Sequence, residues 1–365
     1  MTYSNDMKHL NTLLFSFFAI LTAPGVSHAQ INGGNHVFEF LNLPPSARIA
    51  SLGGQLISVS DDDVNLAFAN PALANASMHQ ALSFSHQFMP AGINSGYAAF
   101  GYHLDKSNLT LHGGLRYIGY GTFDLTDATD EVIGTFDAGE YALTIGAGKQ
   151  LYEKLSVGAN IRLISSRFES YNSLGVTADL GALYQDTASL MSFSLLLRNA
   201  GTQLSSYAGT RQPVPFEMLV GMSKRLRHMP LRFSVTYRYL DRWNVLYDDP
   251  NSQEDLFFFP GSDSQNSGND KIDNFARHLV FSAEFLFGKK DNFRVRFGYD
   301  HLKRKEMSVN NLRSLAGFSF GLGFHISRFR IDYSRTANHL GAGISHITIS
   351  TNLKQFTRPA AGIVE

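Results

Sequence analysis

The side chains with the most chemical potential cluster in two places. Asp61-Asp62-Asp63 sets three carboxylates in a row, and carboxylate oxygens suit a hard divalent cation such as Ca²⁺. The run lacks the Asp-x-Asp-x-Asp-Gly spacing of a calcium loop, so helix capping and contact with arginine are the expected roles. The second place is segment 241–276, which carries Asp248, Asp249, Glu254, Asp255, Asp263, Asp270 and Asp273 among Gly and Ser, together with Trp243 and Phe257-Phe258-Phe259-Pro260. Aromatic rings beside acids make either a surface where a partner docks or a loop that folds back and buries its own rings. A divalent cation held by this loop is the one cofactor the composition admits. Thirteen histidines are scattered; His86, His112, His325 and His346 fall on separate strands without metal-ligand spacing. Gly-x-Ser-x-Gly, His-Glu-x-x-His and a phosphate-binding glycine loop are all absent, so the chain reads as non-enzymatic.

These groups must be carried by β-strands. In Phe293-Arg294-Val295-Arg296-Phe297-Gly298-Tyr299, the aromatic residues and Val share one face while two Arg and a Gly share the other, the period of two that a strand imposes. Turn signals divide residues 80–356 into fourteen such segments: 80–88, 94–103, 108–120, 139–149, 154–168, 172–185, 190–201, 213–224, 230–240, 277–287, 292–303, 313–326, 328–335 and 344–354. Connections after even-numbered segments are all short. Those after odd-numbered segments are often long, at 121–138, 202–212, 241–276, 304–312 and 336–343, with short exceptions near 89–93 and 169–171. Sorting of loop length by strand parity belongs to outer-membrane barrels, which have short periplasmic turns and longer extracellular loops. A soluble sandwich has no reason to sort its loops in this way. The expected fold is all-β: a fourteen-stranded antiparallel transmembrane barrel with its apolar face against outer-membrane lipid.

The opposite face carries Arg116, Arg162, Asp179, Arg198, Glu217, Arg232, Arg238, Glu284, Arg294, Arg296, Arg330 and Asp332, accompanied by Gly114, Gly146, Gly148, Gly158, Gly181 and Gly298. Charges interleaved with glycine suit a crowded lumen. Within this set Arg162, Arg198, Arg232, Glu284, Arg294 and Arg296 are the principal lumen charges.

The remaining organisation follows from the N-terminus. Lys8 and His9 precede an apolar run from Leu13 to Leu21, and Ser27-His28-Ala29 supplies small residues, the layout of a cleaved signal peptide over 1–29. Residues 30–79 form a mostly helical segment. Pro44-Pro45-Ser46 precedes Ala47–Leu52 and Gly53-Gly54 follows it, a helix-boundary signature. Asp61-Asp62-Asp63 opens a second short helical segment and Asn70-Pro71 a third. In a barrel of fourteen strands (80–356) the natural place for this segment is the lumen, as a plug, with 357–365 left as a tail. The chain has no cysteine and a net charge of zero, which excludes disulfides and disfavours nucleic acid as a partner.

Ser46-Ala47-Arg48, Leu52-Gly53-Gly54, Asp61-Asp62-Asp63, Asn65, Phe68 and Asn70-Pro71-Ala72 resemble the N-terminal signature of the FadL-like and PorV-like outer-membrane barrels. The run from Glu39-Phe40-Leu41-Asn42-Leu43-Pro44 through Asp61–Phe68 is similar, more narrowly, to the PorQ-like proteins of the type IX secretion system in Bacteroidota. The match covers about residues 37–75. The tail beyond Phe356 departs from the terminal aromatic residue at which many barrels stop. The resemblance implies an outer-membrane member of a cell-surface attachment complex, tethering a PorZ-like surface protein beside a PorV-like barrel and a PorU-like sortase. For the wider FadL-like group it implies transport of hydrophobic small molecules. Loop parity with an even strand number predicts that the long loops are extracellular and the termini periplasmic.

Overall fold

The computed structural model describes residues 36–246, 267–288, 291–307, 315–338 and 343–357. Fourteen strands run β1 (Ala81–Phe88), β2 (Asn94–Leu104), β3 (Leu109–Thr126), β4 (Val132–Tyr152), β5 (Leu155–Phe168), β6 (Tyr171–Asp186), β7 (Met191–Ser205), β8 (Glu217–Arg225), β9 (Leu231–Tyr237), β10 (Leu279–Phe287), β11 (Phe293–Asp300), β12 (Phe318–Ile326), β13 (Phe329–Ala337) and β14 (Gly343–Asn352). Each pairs antiparallel with its neighbours in sequence. β1 then pairs with β14, from Ala81 opposite Asn352 to Phe88 opposite Ser345, closing the barrel. Closure leaves no strand edge exposed.

The two faces are the reverse of those in a soluble barrel. On β5, Ile161 is 59 % exposed, whereas its neighbour Arg162 is 8 % exposed. On β10 and β11, Phe281 and Phe297 face out while Glu284 and Arg296 are buried. An apolar outer belt around a polar, filled interior is the arrangement a bilayer requires. No helix among the described residues is long and apolar enough to cross a membrane.

The segment ahead of β1 occupies the lumen. It contains a 3₁₀ turn (Glu39–Asn42), helix α1 (Ala47–Ser51), helix α2 (Asn65–Ala69) and a second 3₁₀ turn (Pro71–Leu73). Ser46 caps α1 by accepting from the Ile49 amide, and Asn70 caps the Pro71 turn by accepting from Ala72. Gly53 and Gly54 follow α1 at φ 78° and 80°, the left-handed conformation that ends helices. Apolar residues from this segment, including Ile49, Leu52, Leu56, Leu66, Phe68 and Leu73, form one buried cluster with Tyr97 and Ala99 of β2 and Leu183 of β6.

Small wall residues make this packing possible. A Cβ at Gly298 of β11 would lie 2.1 Å from the Gly53 backbone nitrogen, and one at Gly158 of β5 would lie 2.3 Å from the Pro71 carbonyl carbon. Neither neighbour can rotate away, because both are backbone. Gly298→Val should lower stability by roughly 1–3 kcal/mol through overpacking, read as a lower urea midpoint for the compact, heat-modifiable gel band. An unchanged midpoint would mean that the plug can retreat from the wall.

Several boundaries differ from expectation. Residues 121–138 are not a connection: β3 and β4 continue through them as a projecting hairpin, with Phe123 and Phe136 stacked at 5.4 Å. Gly121, Gly134 and the polar run Asp127–Glu131 give this stretch the composition of a loop, although Phe123 and Leu125 alternate with Thr122, Asp124 and Thr126. The segment 292–303 stops at Asp300, whose side chain accepts from the Lys303 amide and starts helix α4 (His301–Glu306). Helix α3 (Ser267–Arg277) lies inside the expected loop 241–276. Strand β9, expected over 230–240, stops at Tyr237, and Tyr239 beyond it has φ 55°. Chain beyond β14 forms a short helix α5 (Lys354–Thr357), where Arg328 lies over the Phe356 ring at 4.9 Å.

Candidate functional site: a plug held by lumen ion pairs

Helix α1 brings one arginine to the centre of the lumen. Arg48 is fully buried. Its Nη1 and Nη2 donate to the two Asp61 carboxylate oxygens at 2.9 and 2.7 Å, and Nη1 also donates to Asp63 at 3.3 Å. Both groups belong to the plug. From the wall, Glu284 accepts from Arg48 Nε and Nη2 at 3.2 Å each, from Arg296 Nε at 2.8 Å and from Arg232 Nη1 at 3.1 Å. Arg296 also donates to Asp332 at 2.6 Å, and Arg330 to Asp62 at 2.7 Å. The strand register explains the convergence: Glu284 on β10 lies between Arg232 on β9 and Arg296 on β11. All three side chains therefore point inward side by side.

Other wall arginines hold plug backbone. Arg162 Nη2 donates to the Phe68 carbonyl at 3.2 Å, and Arg116 Nη1 to the carbonyls of Phe40 and Leu41 at 2.8 and 3.0 Å. Arg162 is itself held by Asp179 at 2.6 Å. Asp179 sits at a register break between β6 and β7, where Asn199 adopts φ 58° and donates its amide to the Asp179 carboxylate at 2.9 Å. Arg198 pairs with Glu217, which also accepts from Arg238 at 2.7 Å. Arg198 reaches the plug through Gln55 Oε1 at 3.1 Å. Neutral contacts complete the seal: Ala47 N to Thr348 Oγ1 at 2.8 Å, Gly53 N to Ser319 Oγ at 3.0 Å, and Asn65 Nδ2 to Ser83 Oγ at 2.8 Å. Asn70 Nδ2 donates within the plug, to Ile57 O at 2.8 Å.

The space left over is small. A void of about 30 Å³, room for one water, lies between Leu41–Pro45 and Arg116, Arg162 and Arg198. Larger hollows of about 140 and 270 Å³ open at the short-turn rim.

The long-loop rim carries the other candidate residues. Trp243 is 61 % exposed and stacks on His278 at 5.8 Å. Asp248, Asp249, Phe257, Phe258 and Phe259 lie outside the described residues. Behind Trp243, Asp273 of α3 accepts from Arg277 at 2.8 Å, Lys305 at 3.1 Å and His301 at 3.2 Å. Burial opposes the charged form of Asp273, but hydrogen bonds from Arg277, Lys305 and His301 outweigh it and hold the carboxyl at about 2. The Asp273 carboxylate therefore stays ionised at any physiological pH.

Ser46, Arg48, Gly53, Gly54, Asp61, Asp62, Asp63, Asn65, Asn70 and Pro71 are thus gathered inside the barrel or at its short-turn mouth, facing Arg162, Arg198, Arg232, Glu284, Arg294 and Arg296. Asp61 and Asp63 bind arginine, and Asp63 also accepts from the Asn65 amide at 3.1 Å. No group of three metal-ligating side chains occurs among the described residues. Sequence reasoning did not find the direct pairing of Arg48 with Glu284, 236 residues apart, nor the Asn199 kink, whose signal was an Asn close before Gly201.

No protein-family model and no curated protein matches the chain. Among solved structures it is similar to the toluene transporter TodX of Pseudomonas putida, at 12 % identity and a TM-score of 0.49, over 88 % of this chain and 98 % of that one. It is similar also to the toluene transporter TbuX of Ralstonia pickettii, at 13 % identity, TM-score 0.46 and coverages of 86 % and 98 %. A third is a FadL homologue of Pseudomonas aeruginosa, at 10 % identity, TM-score 0.46 and coverages of 85 % and 98 %. The closed fourteen-stranded sheet with its apolar belt is a membrane-spanning barrel of the outer-membrane type on its own topology.

Proposed function

We propose that this chain is a plugged, non-enzymatic outer-membrane barrel that serves as a scaffold for a partner at the cell surface. One observation carries the proposal: Arg48 of the plug shares Glu284 with two wall arginines, so the lumen is closed by a buried, ion-paired element. A barrel closed in this way does its work at its rims. The short turns would face the periplasm and the long loops the outside, which puts Trp243 and the acidic-aromatic segment in reach of a surface protein. The finer proposal, a type IX attachment-complex component holding a PorZ-like protein with PorV-like and PorU-like neighbours, rests on the resemblance of the plug sequence from Glu39 to Ala72.

A transporter of hydrophobic small molecules is the second reading. It is favoured by the apolar cluster of Val37, Phe38, Phe40 and Leu41 with Ile118, Ile164 and Val214, near the long-loop mouth. Affinity isolation from gently solubilised outer membrane tests the choice. The scaffold should co-purify a surface partner, and deletion of 243–262 should release it while heat-modifiable migration persists. Retention of the partner after the deletion would sink the docking idea, and co-purification of an apolar small molecule with no protein would favour transport.

A further inference from the structure

The hollow of about 270 Å³ at the short-turn rim is lined by four arginines, Arg225, Arg232, Arg294 and Arg330, and by Asp61, Asp62 and Asp291. Each acid is already engaged. Asp291 takes Arg225 at 3.2 Å, Asp61 takes Arg48 at 2.7 Å and Arg232 at 3.3 Å, and Asp62 takes Arg330 at 2.7 Å. Arg294 differs from the other three. Its side chain is 8 % exposed, its Nε donates only to the Asp291 backbone carbonyl at 3.2 Å, and its buried Nη1 has no hydrogen-bond partner. The register sets it between Leu286 of β10 and Gly323 of β12, which offer no side-chain acceptor. A guanidinium cannot shed its charge, and the two acids whose charge reaches Arg294, Asp61 and Glu284, are already hydrogen-bonded to other arginines, so its Nη1 stays unbonded. Its planar fork matches the oxygens of phosphate in two parallel hydrogen bonds.

We propose that this hollow is a binding site for a phosphate-type oxyanion, with Arg294 as the fork and Arg225 and Arg330 flanking it. Two sources present that chemistry at this rim: a free phosphate, or the phosphate of a lipid headgroup in the adjacent leaflet. Neither is implied by the scaffold or the transport reading. The test is a ³¹P NMR titration of the full-length barrel in a non-ionic detergent at low salt. Inorganic phosphate is the probe in one arm and a short-chain phosphatidate in the other. Saturable broadening is expected in at least one arm: in the first it assigns the free anion, in the second alone the headgroup. Arg294→Gln should weaken it at least tenfold, Arg294→Lys less, and Arg335→Gln at the far end of β13 not at all. Heat-modifiable migration of each variant separates lost binding from lost folding. Absence of saturable binding in both arms, or equal binding by folded Arg294→Gln, overturns the site.

Discussion

Glu284→Ala should destabilise the folded barrel by about 3–5 kcal/mol, the range for breaking a buried ion pair from one side. Glu284 is 2 % exposed and is the shared acceptor of Arg48, Arg232 and Arg296. Its loss leaves the fully buried guanidinium groups of Arg48 and Arg296, which cannot neutralise themselves, short of an acceptor. Arg48 keeps Asp61 and Asp63, and Arg296 keeps Asp332, so the plug is weakened at its tie to the wall rather than within itself. Glu284→Gln retains volume and one acceptor oxygen and should lose less. The measurement is the urea midpoint of refolded protein in detergent. Combining Glu284→Ala with Arg48→Met should cost clearly less than the sum of the single variants, because the two residues share one network. A Glu284→Ala midpoint equal to that of the parent, or strict additivity, would show that this ion-pair network does not hold the plug.

A disulfide across the same boundary gives the opposite effect. Ser58 of the plug and Ser223 of β8 are both buried, with their Oγ atoms 2.5 Å apart. The chain has no cysteine, so Ser58→Cys with Ser223→Cys can form one bridge only. It would close a loop spanning 165 positions, and loops of that order gain about 3–5 kcal/mol from the restricted unfolded state. The oxidised variant should need more urea to unfold than its reduced form. It also separates the two functional readings. A scaffold keeps its surface partner with the plug fixed, whereas a transporter that moves its plug loses uptake on oxidation and regains it on reduction.

The sequence carried the barrel in its alternation and its loop parity, because a membrane imposes both wherever a strand meets lipid. The principle fails where lipid ends. In the β3–β4 hairpin Phe123 and Leu125 still alternate with Thr122, Asp124 and Thr126, but Gly121, Gly134 and the polar run Asp127–Glu131 give 121–138 the composition of a loop, and α4 after Asp300 depends on one local cap. The plug was visible through its caps, Ser46 and Asn70, and its Gly53-Gly54 stop. Its partners were visible only as a list of inward charges. Which arginine meets which acid is decided by register between strands far apart in the chain: Glu284 opposite both Arg232 and Arg296. Arg294 shows the limit most clearly. It alternates correctly with Arg296 on β11, yet Arg296 lies beside Glu284 and Arg294 beside Leu286.

The plug's partners also set an order of events during assembly. Helix α1 comes early in the chain, but the groups that receive it, Glu284, Ser319 and Thr348, come from β10, β12 and β14. Contacts this distant in sequence form late and slowly. Until the final strands arrive, the first helix holds an arginine that only Asp61 and Asp63 can answer. A chain halted before β10 would therefore display an unsealed interior and a loose cationic helix, a state a quality-control protease can distinguish from the finished product. Pairing of β1 with β14 completes the wall around these contacts.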